Sequence, residues 1–155
     1  MKKTLIGILV VITVLCASFG AASAETAAGL VLKNGDRMVF LGDSITQQMI
    51  HTRYVMNYVA LRYPELEVTF RNAGWGGDRA PGALARLQRD VLDLKPNVVS
   101  ICLGMNDGQY RKFDQGIYDT YINTMQGLVT ELKKAGVRVV LLTPGCVDTL
   151  DGSRL

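Results

Sequence analysis

Cysteine and histidine are scarce in this sequence, which has three cysteines and one histidine among 155 residues. Three cysteines are too few for a disulfide scaffold, and their positions do not match metal-ligand spacing. Cys16 lies in an N-terminal segment that we expect to be removed. Cys102 lies in a strand-like run and Cys146 follows another, so we predict buried thiols. A disulfide between these two is the alternative in an oxidising compartment.

A strong excess of charge of either sign is also lacking. Residues 1–24 contain two lysines and no acid, so without them the formal net charge falls from +3 to +1. No basic footprint for a nucleic-acid partner remains. With 48% hydrophobic and 20% charged residues and no heptad repeat, the chain is neither disordered nor a coiled coil. We predict one compact domain over residues 25–155.

The first 24 residues have the pattern of a cleavable secretory signal. Lys2 and Lys3 precede an apolar stretch over residues 5–14, and residues 22–24 (ASA) form a small-residue cleavage site. We therefore predict a secreted or periplasmic protein with no membrane partner after cleavage. The alternative is an uncleaved membrane anchor, because the apolar stretch extends to about residue 22 and approaches bilayer-spanning length. Bulky Leu15 before Cys16 argues against a lipoprotein anchor.

Four apolar runs alternate with helical patterns along the rest of the chain. Residues 37–41, 66–70, 98–103 and 137–142 are predicted strands, and residues 50–59, 84–94 and 117–132 carry apolar residues at helical spacing. This alternation predicts an α/β fold with a parallel sheet, right-handed crossovers and helices on both faces, with the fourth strand covered on both sides. About a dozen residues follow the fourth run, too few for a further strand and helix, so the predicted sheet is unfinished.

Polar or glycine-rich clusters follow the first three predicted strands at residues 42–44 (GDS), 74–77 (GWGG) and 104–106 (GMN). Ligands bind beyond the carboxyl ends of such strands, which predicts one site built from three loops. Ser44 is either a nucleophile or a helix N-cap. Gly77 either allows a backbone N–H to approach a ligand or forms an ordinary turn. Asn106 is either an oxyanion donor or an Asx turn or cap.

Over residues 38–144 these clusters resemble the SGNH hydrolases, also called GDSL lipases and esterases. Residues 42–46 (GDSIT) are similar to the family's nucleophile block, residues 72–78 (NAGWGGD) to its second block, and residues 104–107 (GMND) to its third. The resemblance assigns the nucleophile to Ser44. It assigns the oxyanion hole to the N–H groups of Ser44 and Gly77 and to the side-chain amide of Asn106.

The resemblance also implies a flavodoxin-like three-layer α/β/α domain and no metal or organic cofactor. It implies ester hydrolysis through an acyl-serine intermediate, with a small-molecule or carbohydrate ester as substrate. Trp75, Asp78 and Arg79 flank the predicted site and are candidates for binding a sugar or a carboxylate. The alternatives are that Trp75 packs in the fold and that Asp78 and Arg79 form a local ion pair.

The sequence departs from the family at its last block, an Asp-x-x-His that supplies the catalytic base and the residue that orients it. Neither catalytic residue is found among these 155 residues. Asp151 and Arg154 have the spacing, but arginine stays protonated. His51 is seven residues after Ser44, about 10 Å along a helix, and therefore beyond the reach of a general base. An impaired esterase is expected, with a non-catalytic extracytoplasmic carbohydrate- or ester-binding protein as the alternative.

Overall fold

A computed structural model describes residues 31–145. The predicted signal segment at residues 1–24, Cys146 and the Asp151 to Arg154 stretch lie outside the described residues. The strands and helices given below all lie in one compact unit that begins at Leu32. Between residues 31 and 145, no helix is both long enough and apolar enough to cross a bilayer.

Four parallel strands form the sheet. They are β1 (Arg37–Gly42), β2 (Thr69–Gly74), β3 (Val98–Cys102) and β4 (Arg138–Leu142), in the spatial order β2-β1-β3-β4. The parallel α/β fold of flavodoxin-like type is therefore confirmed. Because β1 is central, the chain leaves it in one direction to β2 and then crosses back over it to β3.

Helices connect successive strands. Helices α1 (Ser44–Gln47) and α2 (Ile50–Arg62) join β1 to β2, and α3 (Ala80–Ala85), α4 (Leu87–Asp90) and a 3₁₀ turn (Leu92–Leu94) join β2 to β3. The long helix α5 (Gln115–Lys134) joins β3 to β4. Asp114 caps α5, since its carboxylate accepts the N–H of Ile117 at 3.0 Å.

The main core lies between the sheet and helices α3 to α5. Alternate residues of the central strands face these helices, because successive side chains on a strand point to opposite faces. The fully buried members include Leu41, Ile101, Leu103, Leu128 and Leu132. This core fixes the strands whose carboxyl ends carry the candidate site.

Several sequence predictions about element limits and burial were wrong. The second strand runs from Thr69 to Gly74 instead of over residues 66–70, because Phe40 pairs with Asn72 and Gly42 with Gly74. The predicted helix over residues 84–94 is broken into α3, α4 and the 3₁₀ turn. The fourth strand is not covered on both faces: β4 is the terminal strand of the described sheet, and Leu141 is 58% exposed.

Helix α2 also differs from the expected pattern. The left-handed conformation of Met49, with φ of 63°, separates α2 from α1, so no continuous helix follows Ser44. Of the apolar residues at helical spacing, Val59 is buried but Tyr54 and Tyr58 are exposed. The other buried residue of α2 is the polar Thr52. The apolar spacing therefore predicted the helix correctly but not the face that contacts the sheet.

Candidate active site

Ser44 lies where β1 turns into α1, directly at the carboxyl end of the central strand. The preceding residue, Asp43, is the helix N-cap, and its Oδ1 accepts the N–H of Ile45 at 2.9 Å. Asp43 is 1% exposed, whereas Ser44 is half-buried. Because Asp43 performs the capping, the Ser44 hydroxyl is free of that role, and it makes no hydrogen bond within the described part of the chain.

Two glycines allow α1 to pack directly on the strand ends. A Cβ at Gly42 would lie 2.1 Å from Thr46 Oγ1 and 2.6 Å from Cys102 O. A Cβ at Gly74 would lie 2.2 Å from Gln47 N. Real Cβ contacts are not this short, so both positions require the absence of a side chain. The helix that begins at Ser44 is thus held against the backbone of β1 and β2.

Gly77 lies in a tight turn after β2, in which Asp78 N donates to Trp75 O at 3.1 Å. Its φ of 75° is in the left-handed region that favours glycine, and no heavy atom lies within 4 Å of a Cβ built there. The turn is tied to the nucleophile loop, since Trp75 N donates to Gly42 O at 2.9 Å. Gly77 is therefore needed for its backbone conformation and not for close packing.

Asn106 joins the three loops. Its Nδ2 donates to Asp78 O at 2.9 Å and, over a longer 3.3 Å, to Asp43 Oδ2. Asp43 precedes Ser44 and Asp78 follows Gly77, so one side-chain amide connects the chain neighbours of both other predicted site residues. The structure thus brings the three predicted residues to one place at the ends of β1, β2 and β3.

Asp78 and Arg79, for which the sequence left open ligand binding or a local ion pair, do not form that ion pair. The Asp78 carboxylate instead pairs at 2.8 Å with Arg86, the residue between α3 and α4. The Asp78 side chain is 9% exposed and the Arg86 side chain is 10% exposed. Arg86 also donates to Gly42 O at 3.2 Å. Arg86 therefore fastens the second loop to the end of β1, while the Arg79 side chain is left exposed.

Trp75 is exposed to solvent, whereas His51 is half-buried. The Trp75 side chain is 59% exposed, so the fold does not use it as a core residue. His51 is half-buried on α2, where its ring meets the ring of Phe40 edge-on at a centroid distance of 6.3 Å. No hydrogen bond joins His51 to Ser44 in the described structure, as expected from the sequence, although the helix between them is interrupted.

Asp107, immediately after Asn106, is a buried residue for which sequence analysis indicates no separate role. It is 7% exposed, and its Oδ1 accepts the N–H of Ala80 at 2.8 Å. Its Oδ2 is buried without a hydrogen-bond partner among residues 31–145. Burial raises the pKa of Asp107, and backbone N–H groups and the Arg79 charge offset part of that rise. Burial and the charge of Asp107 both raise the pKa of the neighbouring Tyr121.

Cys102, at the end of β3, is a free and half-buried thiol. Burial raises its pKa, and the negative charge of Asp43 adds to that rise. Both effects disfavour the thiolate, which is the nucleophilic form. Within the described range, no cluster of three or more His, Cys, Asp or Glu side chains is arranged to hold a metal ion.

The fold and the three strand-end loops define a class of α/β hydrolases with a serine on the turn after the first strand. Residues 40–154 match the model of the GDSL-like lipase/acylhydrolase family. The chain belongs to this family, within the SGNH hydrolase superfamily.

Relatives and solved structures agree with this assignment. An acetylxylan esterase from Geobacillus stearothermophilus is 33% identical over 137 residues, which cover 74% of this chain and 62% of that protein. The crystal structure of the acetylxylan esterase Axe2 from the same organism superposes with a TM-score of 0.69 at 28% identity, covering 81% of this chain and 68% of the other. In Axe2, alanine variants of a serine, an aspartate and a histidine are described as catalytic mutants.

Two further similar proteins are matched over only about a third of their own length or less. BT4096, a gut microbial diltiazem-metabolizing enzyme, superposes with a TM-score of 0.65 at 31% identity, covering 71% of this chain and 27% of the other. The uncharacterized lipoprotein YqeF from Bacillus subtilis is 32% identical over 88 residues, which cover 53% of this chain and 34% of that protein.

Proposed function

We propose that this chain carries the nucleophile and the oxyanion hole of a serine esterase that removes small acyl groups, such as acetyl, from carbohydrate. The observation that supports this most directly is the double hydrogen bond of Asn106, which holds the loops of Ser44 and Gly77 together. The acetylxylan esterase relatives support the substrate class.

In this proposal, Ser44 Oγ forms a bond to the acyl carbonyl carbon and loses its proton to a base. The developing oxyanion accepts hydrogen bonds from the N–H groups of Ser44 and Gly77 and from the Asn106 amide. The sugar alkoxide then leaves with a proton, and water hydrolyses the acyl-serine to acid. Each oxyanion donor contributes roughly 3 to 4 kcal/mol in comparable sites.

The base is not supplied by the described residues. The sequence contains one histidine, His51, and this side chain packs against Phe40. A serine hydroxyl without a base is a poor nucleophile at neutral pH. We therefore expect this 155-residue chain to be impaired as an esterase until a base is provided. The alternative function is binding of carbohydrate or ester without turnover at the same loops.

An added small base provides the test. We would measure p-nitrophenyl acetate hydrolysis by the full chain with increasing imidazole, beside Ser44→Ala and the buried-serine control Ser100→Ala. After subtraction of the rate of imidazole alone, which itself cleaves this ester, the proposal predicts an imidazole-dependent rate that the Ser100→Ala variant retains and the Ser44→Ala variant loses. Equal rates for the chain and for Ser44→Ala, with all three proteins folded by circular dichroism, would refute a nucleophilic role and leave the binding function.

We further propose that the protein acts outside the cytoplasm. The pattern of residues 1–24 supports export, and one relative is named as a lipoprotein. An uncleaved N-terminal anchor is the alternative. N-terminal sequencing of protein recovered from the culture medium, the periplasm and the membrane fraction would separate these cases: a mature chain starting at Glu25 is expected.

A further inference from the structure

Two cavities adjoin one another beside the candidate site, between the loop after β3 and the first turns of α5. Their volumes are about 300 and 260 Å³. Both are lined by Asp107, Asp114, Ile117 and Tyr121. The polar cavity is the one that also contains Arg79, Gln109 and Thr120. The aromatic cavity is the one that also contains Phe113, Tyr118 and Pro144.

The polar cavity is built onto the predicted oxyanion donors. Arg79 follows Gly77 by two residues, and Asp107 directly follows Asn106. The bond from Ala80 N to Asp107 Oδ1 at 2.8 Å is buried and fixes one wall of the cavity to the other. Neither cavity is lined by Ser44 itself. The polar cavity therefore adjoins the residues next to Gly77 and Asn106 and does not include Ser44, so it is a place for a part of the substrate other than the reacting carbonyl.

The lining suits a ligand rich in hydroxyl groups. Asp107 is only 7% exposed, and its Oδ2 accepts no hydrogen bond from the described residues. The Thr120 and Tyr121 hydroxyls donate to Gly116 O and Leu103 O, which leaves their oxygens able to accept. Arg79 and the Gln109 amide are exposed donors. A hydroxyl group both donates and accepts, so it can donate to Asp107 Oδ2 and accept from Arg79 or Gln109.

The aromatic cavity suits the face of a sugar ring. Phe113 and Tyr118 form a tilted pair with ring centroids 5.9 Å apart, and they are 75% and 48% exposed. Aromatic faces left open to solvent beside a polar cavity allow the apolar face of a pyranose to stack while its hydroxyls reach polar groups. The cavities share one wall, so a single extended ligand can occupy both.

We propose that the polar cavity binds the sugar that bears the acyl group, and that a hydroxyl of this sugar donates a hydrogen bond to Asp107. The aromatic cavity binds the next sugar of the oligosaccharide. This inference rests on the proposed function for its orientation. Asp107 Oδ2 is covered from solvent, so the lining of the polar cavity must rearrange before the incoming hydroxyl can donate to it.

Gly116 offers a substitution that fills the polar cavity without disturbing the core. It lines this cavity in the first turn of α5, and the nearest heavy atom to an added Cβ is Asp114 Oδ1 at 3.4 Å. Leucine has a much higher helix propensity than glycine, so Gly116→Leu should fold. Gly127→Ala is the matched control in the same helix, because an added Cβ there meets only Leu84 Cδ2, at an ordinary 3.5 Å.

The experiment is a titration of the full chain with xylotriose, a neutral sugar without an ester, followed by calorimetry and by amide chemical shifts. We expect shifts at Asp107, Ile117 and Tyr121, a dissociation constant raised at least tenfold in Gly116→Leu, and binding by Gly127→Ala within about twofold of the parent. This result supports the sugar site even if Ser44-dependent hydrolysis is not found, because no bond is cleaved.

Three results would overturn the proposal. These are no xylotriose binding by the parent chain, equal binding by Gly116→Leu, or displacement of xylotriose by methyl decanoate, which would assign the aromatic cavity to an acyl chain. The imidazole-dependent hydrolysis of p-nitrophenyl acetate is measured separately on the same preparations. Turnover without a sugar site and a sugar site without turnover are thereby distinguished.

Discussion

The close packing of α1 on the end of β2 makes Gly74 a sensitive position for both stability and activity. In Gly74→Ala, the new Cβ would lie 2.2 Å from Gln47 N and 2.7 Å from Gln47 Cα. Both atoms belong to the backbone, so no side-chain rotation relieves the contact, and α1 with Ser44 must move away from the sheet. Gly35→Ala is the matched control, because Gly35 has φ of 79° and no heavy atom within 4 Å of an added Cβ.

The two variants separate steric overlap from backbone conformation. Alanine in the left-handed region costs about 1 kcal/mol, which is the whole effect expected for Gly35→Ala. Overpacking against a fixed backbone costs about 3 kcal/mol, which is the effect expected for Gly74→Ala. The difference of about 2 kcal/mol corresponds to a Tm lower by roughly 6 to 10 °C in a domain of this size. A displacement of Ser44 near 1 Å would also reduce Ser44-dependent turnover by about 100-fold.

Urea unfolding followed by circular dichroism measures the first effect, and imidazole-supported p-nitrophenyl acetate hydrolysis measures the second. Gly74→Ala should lose more stability than Gly35→Ala, and only Gly74→Ala should lose turnover. If the free energies of unfolding of the two variants agree within about 0.5 kcal/mol, α1 does not pack on Gly74 as described, and the argument from close approach is refuted.

Three further outcomes are expected. Arg86→Met should lower the free energy of unfolding by about 3 kcal/mol because it leaves the buried Asp78 carboxylate without its partner, whereas Lys134→Met, which removes an exposed ion pair with Glu131, should change it little; equal losses of the two variants in urea unfolding would contradict the buried pair. Hydrogen bonds from Arg89 and Arg86 lower the pKa of Asp90 to about 2, so its stabilisation is present above pH 4 and lost as pH falls toward 2; Asp90→Asn should flatten that acid limb of the stability curve. Burial raises the pKa of Asp107, so its contribution is greatest below the ordinary aspartate pKa and declines as pH rises above it; Asp107→Asn should remove that decline, and an unchanged pH profile would contradict it.

The parallel fold could be predicted from sequence because its signals are local. Each strand is a short apolar run, and α5 carries its apolar residues at helical spacing over 20 residues. The limits of β2 could not be predicted this way, since pairing of Asn72 and Gly74 with β1 decides them. The exposure of Leu141 also depends on which strands lie next to β4, which is not encoded in the run itself.

The meeting of three loops could be predicted because parallel strands end at the same edge of a sheet. The partners of the site residues could not. Asp78 pairs with Arg86, eight residues away, and not with adjacent Arg79, because the helix after the loop turns Arg86 back toward Gly42. The burial of Asp107 could not be predicted either, because nothing in the sequence around Asn106 indicates that the next side chain is buried. The roles of Ser44, Gly77, Asn106, Trp75 and Arg79 in chemistry stay predictions.

At the proposed site, the Asp43 carboxylate and the substrate oxygen would compete for one N–H of the Asn106 side-chain amide. The longer bond of this amide, at 3.3 Å, goes to the Asp43 carboxylate. A neutral ester carbonyl is a weaker acceptor than a carboxylate and would not draw this N–H away. An oxyanion is an acceptor of equal or greater strength and would. If Asn106 is an oxyanion donor as proposed, a side chain held in this way would leave the resting substrate unbound and would respond only once charge has developed, so its hydrogen bond would favour the transition state.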